Sequence, residues 1–216
     1  MRLLFATALL TAALAPPQSE VGRSSERIAM AEFQALCLDW DGDLEATEAI
    51  VTERGYRPAQ ERLEAFTPRG STAYRRYTFV WARQDDGVEI QVTARPRSYI
   101  GGGGQRVYQD ICSVAVDPGN RTQLRNSVAR HLGQDSFRQM GASVFVWTNG
   151  SQGRRAVRRA VFENRLFRLF TEEDWRMITV AQHGEQVILS YFTPSRESCR
   201  VRSEYSASEP NIVCGP

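Results

Sequence analysis

The sequence predicts an α+β fold: an antiparallel sheet built from hairpins, with two to four helices packed on it. Three observations predict it. Asp86-Gly87 stands between two runs of alternating apolar and polar residues, which is the signal of a tight β-hairpin. "MITVAQHGEQVILSYF" reads as a second hairpin, turning at His183-Gly184. Capped stretches of helical spacing precede strand-like runs twice, near 43–55 and near 120–133.

The chain opens "MRLLFATALLTAALAPPQSE". Arg2 is a short positive region, and Leu3 to Ala15 is apolar but shorter than the roughly 20 residues a bilayer span needs. "ALA" at 13–15 has the small-x-small form of a secretory cleavage site, so 1–15 is expected to be a signal peptide. No Cys follows directly, so no lipid anchor is indicated. The absence of a second long apolar run predicts a mature protein without a membrane span. Residues 16–25, "PPQSEVGRSS", read as a flexible lead-in. One α+β domain is expected over 26–194, and a tail over 195–216.

From 26 to 37, Ala29, Phe33, Leu36 and Cys37 recur at helical spacing. "DWDGDLEATEAI" at 39–50 then resembles the start of a calcium loop. The calcium template requires Gly at its sixth position and Glu at its twelfth. Counted from Asp39, those positions hold Leu44 and Ile50, so the sharp turn and the bidentate ligand are missing. A helix start explains the stretch better. Asp43 caps the first turn, and Asp41 and Glu45 add negative charge near the positive end of the helix. Leu44, Thr47, Ile50 and Val51 form its buried stripe, and Gly55 followed by Pro58 ends it.

In "RRYTFVWARQDDGVEIQVTARPRSY", Tyr77, Phe79 and Trp81 alternate with Thr78, Val80 and Ala82. Past the turn, Val88, Ile90, Val92 and Ala94 share one face. "IGGGG" is read as a flexible turn, because the strand–GxxxxGK[ST]–helix context of a phosphate loop is missing. A strand over 107–116 puts Cys112, Val114 and Val116 on one face, aiming Cys112 inward. Asn120 caps the next helix, with Gln123 three residues on, a stripe of Leu124, Val128 and Leu132, and Gly133 at the end. Residues 142–149 form another strand. The stretch 152–170, with "RRAVRRAVFENRLFRLF", fits neither period, and its arginines read as a solvated face. Two stretches, "CLDWDGDLEATEAIVTERGY" and "CSVAVDPGNRTQLRNSVARHLG", share the order Cys, Asp/Gly turn, helix, Gly. They suggest a duplicated helix-plus-strands unit.

Cys37, Cys112, Cys199 and Cys214 are the only cysteines. An even number in an exported chain points to disulfides, and three pairings are possible. Cys37–Cys112 with Cys199–Cys214 is preferred, because the second bridge closes a polar tail too poor in apolar surface to hold itself down. A zinc site is disfavoured by the wide spacing.

The 27 basic residues are all Arg, against 25 carboxylates. That near-balance gives no general pull on nucleic acid. An all-Arg set can serve anion recognition, since each guanidinium is a planar fork of donors, but the arginines are spread along the chain, as a GC-rich coding bias would leave them, and that reading is preferred. The absence of Lys excludes Schiff-base and lysine-base chemistry.

"FQALC", then "DGD" opening a helix, then "GY", with a second Cys in a strand, resembles a group of small exported proteins of alphaproteobacteria with no assigned activity. The resemblance covers Phe33 to Gly133. In that group Gly-Gly-Asp often stands where this chain has Asp41-Gly42-Asp43, a change that keeps the capping Asp. The resemblance implies export and a Cys37–Cys112 bridge, and implies neither catalysis nor a ligand.

The sequence nominates no catalytic, cofactor or metal residue. His131 falls in the last turn of a helix and His183 in a turn, and neither has a neighbouring nucleophile or an H-E-x-x-H pattern. No G-x-S-x-G elbow occurs. Two function classes remain. The first is a periplasmic or secreted, non-enzymatic module that binds an envelope protein or small molecule. The second is a periplasmic hydrolase whose site assembles only in the fold.

Overall fold

The computed structural model describes residues 18–59, 79–100, 106–194 and 212–213. Helix α1 (Gln18–Phe33) runs directly into one π-type turn, Gln34–Leu38. Helix α2 (Leu44–Glu53) follows, then strands β1 (Arg57–Pro58), β2 (Phe79–Asp85), β3 (Val88–Ile100) and β4 (Arg106–Asp117). The second stretch of chain carries α3 (Arg121–Leu132), β5 (Phe137–Gln139), β6 (Ala142–Gly150), β7 (Gly153–Ala156), α4 (Arg159–Glu172), β8 (Trp175–His183) and β9 (Gln186–Pro194). A short β10 (Ile212–Val213) closes the described chain.

The strands form one sheet in the order β1-β2-β3-β4-β9-β8-β6-β5, with β7 beside β6 and β10 beside β4. The described pairings are antiparallel except β10, which lies parallel to β4 with Ile212 opposite Arg106. This is the α+β, hairpin-built architecture that the sequence predicts. Its halves match in order. The first is α2 followed by β1, β2, β3 and β4; the second is α3 followed by β5, β6, β8 and β9. The two meanders meet at β4 and β9, where Cys112 faces Tyr191. The pair β7–α4 is an insertion in the second half. Gly119 lies in the link between the halves. Its N–H donates to the Glu185 carbonyl at 2.8 Å, and a Cβ there would lie 2.9 Å from Val187.

Strand alternation gives the sheet two apolar faces. One carries Val88, Ile90, Val92, Ala94, Val114, Val116, Ile178, Val180 and Leu189, packed against Ala29 and Phe33 of α1, Val51 of α2, and Leu124 and Val128 of α3. The other carries Ile111, Val144, Val146, Met177 and Phe192, covered by Phe162, Leu169 and Phe170 of α4. Residues on β6 are therefore buried on both sides, and its run Ser143 to Thr148 has no polar-out face.

The local signals act as read in several places. Asp86 and Gly87 both take positive φ between paired Asp85 and Val88, the conformation a two-residue hairpin turn requires. Asn120 accepts from the Gln123 N–H at 3.1 Å, and Gly133 ends α3 in the left-handed region. The reciprocal arm of that capping box is not made, because the Gln123 Oε1 has no hydrogen-bond partner. At α2, the Tyr56 N–H reaches back to the Val51 carbonyl and the Gly55 N–H to that of Thr52. These bonds form a Schellman stop with Gly55 at φ 78°.

Three expectations are corrected. The helix expected over 26–37 begins at Gln18, inside the stretch 16–25 that reads as a flexible lead-in; the polar first turns carry no apolar stripe to announce them. The last hairpin turns at Gly184-Glu185, since His183 is itself paired with Gln186. The ambiguous stretch 152–170 resolves into β7 and α4. Arg165 inside α4 has non-helical angles, φ −133° and ψ 22°, so no single helical period runs through it. The predicted signal peptide, the strand start at Tyr77 and Thr78, "GGGG", Cys199 and Cys214 lie outside the described residues.

Candidate functional site

Cys37 and Cys112 are joined in a disulfide, with Cα atoms 5.4 Å apart. Both are fully buried. The bridge ties the turn after α1 to the centre of the sheet, and fixes the loop that follows, Asp39 to Asp43.

That loop is the calcium-like stretch, and its aspartates are employed separately. The Gly42 N–H bonds to the Cys37 carbonyl and the Asp41 N–H to the Leu38 carbonyl. This is a Schellman stop with Asp41 at φ 50° in the position usually given to Gly. Gly42 lies so close to β9 that a Cβ would sit 2.9 Å from Thr193 Oγ1. The Asp43 carboxylate accepts from the Ala46 N–H at 3.0 Å, the expected cap of α2. Asp41 turns the other way. Its two oxygens accept from Arg176 Nε and Nη2 at 2.6 and 2.5 Å, and Oδ1 also accepts from the Tyr191 hydroxyl at 2.7 Å. Arg176 in turn donates to Asp174 at 2.6 Å. Burial opposes the Arg176 charge, but the bonds to Asp41 and Asp174 outweigh it, so its pKa is raised. Burial and the Asp41 hydrogen bond push the Tyr191 hydroxyl up. The expected dipole role of Asp41 is thus replaced by a clasp between the loop and the sheet.

A second polar cluster centres on buried Glu32 of α1. Its carboxylate accepts from Arg54 at 2.7 and 3.0 Å, from the Tyr56 hydroxyl at 2.9 Å and from Arg83 at 3.1 Å. Burial raises the carboxyl pKa, but the Arg54 and Tyr56 hydrogen bonds and the charges of Arg83 and Arg54 outweigh it, leaving it below the ordinary value. Arg83 also pairs with Asp85 and lies 4.7 Å over the Tyr56 ring. Every strong donor here meets an acceptor within the chain, so the cluster reads as a brace between α1, the end of α2 and β2.

His131 on α3 and His183 on β8 are both exposed. Among the described residues, no three His, Cys, Asp or Glu side chains group closely enough to hold a metal ion.

Among the described residues, one arrangement open to a ligand lies on the other face. A cleft of about 280 Å³ runs between β7 and α4. Four arginines line it: Arg155 from β7, Arg158 just before α4, and Arg165 and Arg168 on the helix. Val157, Val161 and Leu169 supply its apolar wall. Two of the guanidiniums are paired: Arg168 with Glu172 at 2.8 Å, and Arg155 with Glu173 at 3.5 Å. Arg158 and Arg165 have no carboxylate within ion-pair distance among the described residues.

Comparison of the chain with protein families, curated proteins and solved structures finds no match in any of the three.

The cleft can hold an anion, for three physical reasons. Two planar guanidinium forks stand open, and each matches a carboxylate or phosphate edge. Arg158 and Arg159 sit at the positive end of α4, and Glu172 at its negative end, so the helix charges oppose the dipole at both ends. The helix also breaks its own geometry at Arg165. Local rules broken together in one element are expected at functional or strained sites. Sequence reading missed the cleft by treating these arginines as a solvated face. The signal was present: the four cleft arginines fall within fourteen residues, and the first turn of the helix has no acid.

On the face of the sheet opposite the cleft, Arg154 of β7 covers the buried Trp147 ring at 4.1 Å, and Trp147 stacks on Tyr191 at 6.1 Å. Burial lowers the pKa of Arg154, with the Tyr191 charge acting the other way. This stack links the base of the β6–β7 hairpin to the Asp41–Arg176 clasp.

Proposed function

We propose that the protein is exported to the cell envelope and there binds a small anionic molecule in the cleft beside α4, as a binding module rather than an enzyme. The carrying observation is the pair Arg158 and Arg165, two guanidiniums on one cleft without a carboxylate partner among the described residues. The clusters around Glu32 and Asp41 satisfy their arginines internally, whereas among the described residues the α4 cleft leaves Arg158 and Arg165 without a carboxylate. Export is supported by the leader-like first residues. The buried Cys37–Cys112 disulfide supports it too, since such bonds persist mainly in oxidising compartments. Among the described residues no helix is long and apolar enough to cross a membrane.

The test is a calorimetric titration of the mature protein with acetate, succinate, sulfate and inorganic phosphate, repeated on Arg158→Gln/Arg165→Gln. Both arginines are exposed, so the double variant is expected to keep its fold and its disulfide. At least one anion should bind the native protein and lose about a hundredfold in affinity in the double variant, tenfold for each charge-assisted bond. Equal binding by both proteins, or none by either, contradicts the proposal.

A further inference from the structure

We infer that the α4 cleft takes a dicarboxylate: two anionic ends on a short apolar body. The inference rests on the anion-binding reading of the cleft and adds the ligand's charge count and shape.

The charge count follows from which guanidiniums are already engaged. Glu172 and Glu173 occupy Arg168 and Arg155, leaving Arg158 and Arg165 as forks with no carboxylate partner among the described residues. Two forks take two carboxylates, each through a pair of parallel N–H···O bonds. The shape follows from spacing. Arg158 at the N-cap, Val161 and Arg165 at the kink all line the same cleft face, with the apolar residue between the cations along the chain. Seven residues correspond to a rise of about 10 Å. A ligand complementary to that face has an anionic group, an apolar stretch and a second anionic group, in that order. Leu169 extends the apolar wall by a further turn. The volume of about 280 Å³ lies just below the roughly 300–1,000 Å³ of drug-sized sites, which suits a short diacid. A single phosphate would leave the apolar wall between the forks unused.

The test compares succinate, adipate and suberate with hexanoate, the monoacid of adipate's length, and with inorganic phosphate, by calorimetry. Affinity should peak at one diacid length and exceed that of hexanoate by about tenfold, the worth of one charge-assisted bond. In Arg158→Gln and in Arg165→Gln, that diacid should fall to the level of hexanoate, since either variant leaves one fork. Hexanoate binding as tightly as the best diacid would overturn the inference, and so would phosphate binding more tightly than any diacid. Either result leaves the anion-binding reading standing if the double variant still loses the ligand. No binding of any of these acids or phosphate to the native protein overturns both.

Discussion

Arg176 on β8 grips the Asp41 carboxylate by both oxygens, at 2.6 and 2.5 Å, across 135 residues of sequence. The contact turns a stretch that looks like a metal loop into the fastening between the α1–α2 loop and the second half of the sheet. Asp41→Asn should therefore destabilise the protein by about 2 kcal/mol, the range of a charged hydrogen bond. Arg176 would keep Asp174 as its remaining carboxylate partner in the pair network. Urea denaturation should show a lower midpoint with an unchanged slope, with or without calcium. A calcium-dependent midpoint in the native protein would restore the metal reading.

Asp43 caps α2. Asp43→Ala should cost about 1 kcal/mol, the usual value of a lost N-cap. Asp43→Ser, which keeps an acceptor, should recover most of it.

Glu32 makes stability depend on acid. Its folded pKa is depressed, so the stabilisation it gives is present above the ordinary carboxylate range and is lost as pH falls through the lowered value. Glu32→Gln should remove about 3 kcal/mol near neutral pH, since it leaves Arg54 and Arg83 around an uncharged group. The variant should also flatten the fall in stability on acidification. An unchanged acid limb measured by urea titration at several pH values would contradict the assignment.

The Cys37–Cys112 bridge closes a long loop, with a sequence separation of 75. Cys37→Ser should cost about 2–5 kcal/mol. Non-reducing peptide mapping of the exported protein should recover this bridge and a second one joining Cys199 to Cys214. Its intact mass should lack the first 15 to 20 or so residues. Full-length chain recovered from the cytosol with free thiols would contradict export.

Much of the fold was legible because its signals are local. Asp86-Gly87 fixed a turn, Asn120 and Asp43 capped helices, and the alternation from Val88 to Ala94 placed a face in the core. The duplicated order was also visible, since Cys37 and Cys112 each precede an Asp/Gly turn and a capped helix. What escaped reading was either unpatterned or distant. The first turns of α1 are polar, β5 has three residues, and α4 loses its period at Arg165. The clasp between Asp41 and Arg176 has no local trace in either segment. The cleft was hidden for a different reason: in a chain whose 27 basic residues are all Arg, an arginine cluster does not stand out by composition. It stands out only when α4 is seen to carry its charges against its dipole.

The most direct test of the anion cleft is to watch the arginines themselves. Side-chain Nε–Hε resonances should be followed by NMR while adipate is added to the mature protein. The account predicts saturable shifts at Arg158 and Arg165, smaller ones at their cleft neighbours Arg155 and Arg168, and none at Arg54 or Arg176, which are held by Glu32 and Asp41. Shifts spread evenly over exposed arginines, or centred away from α4, would contradict it.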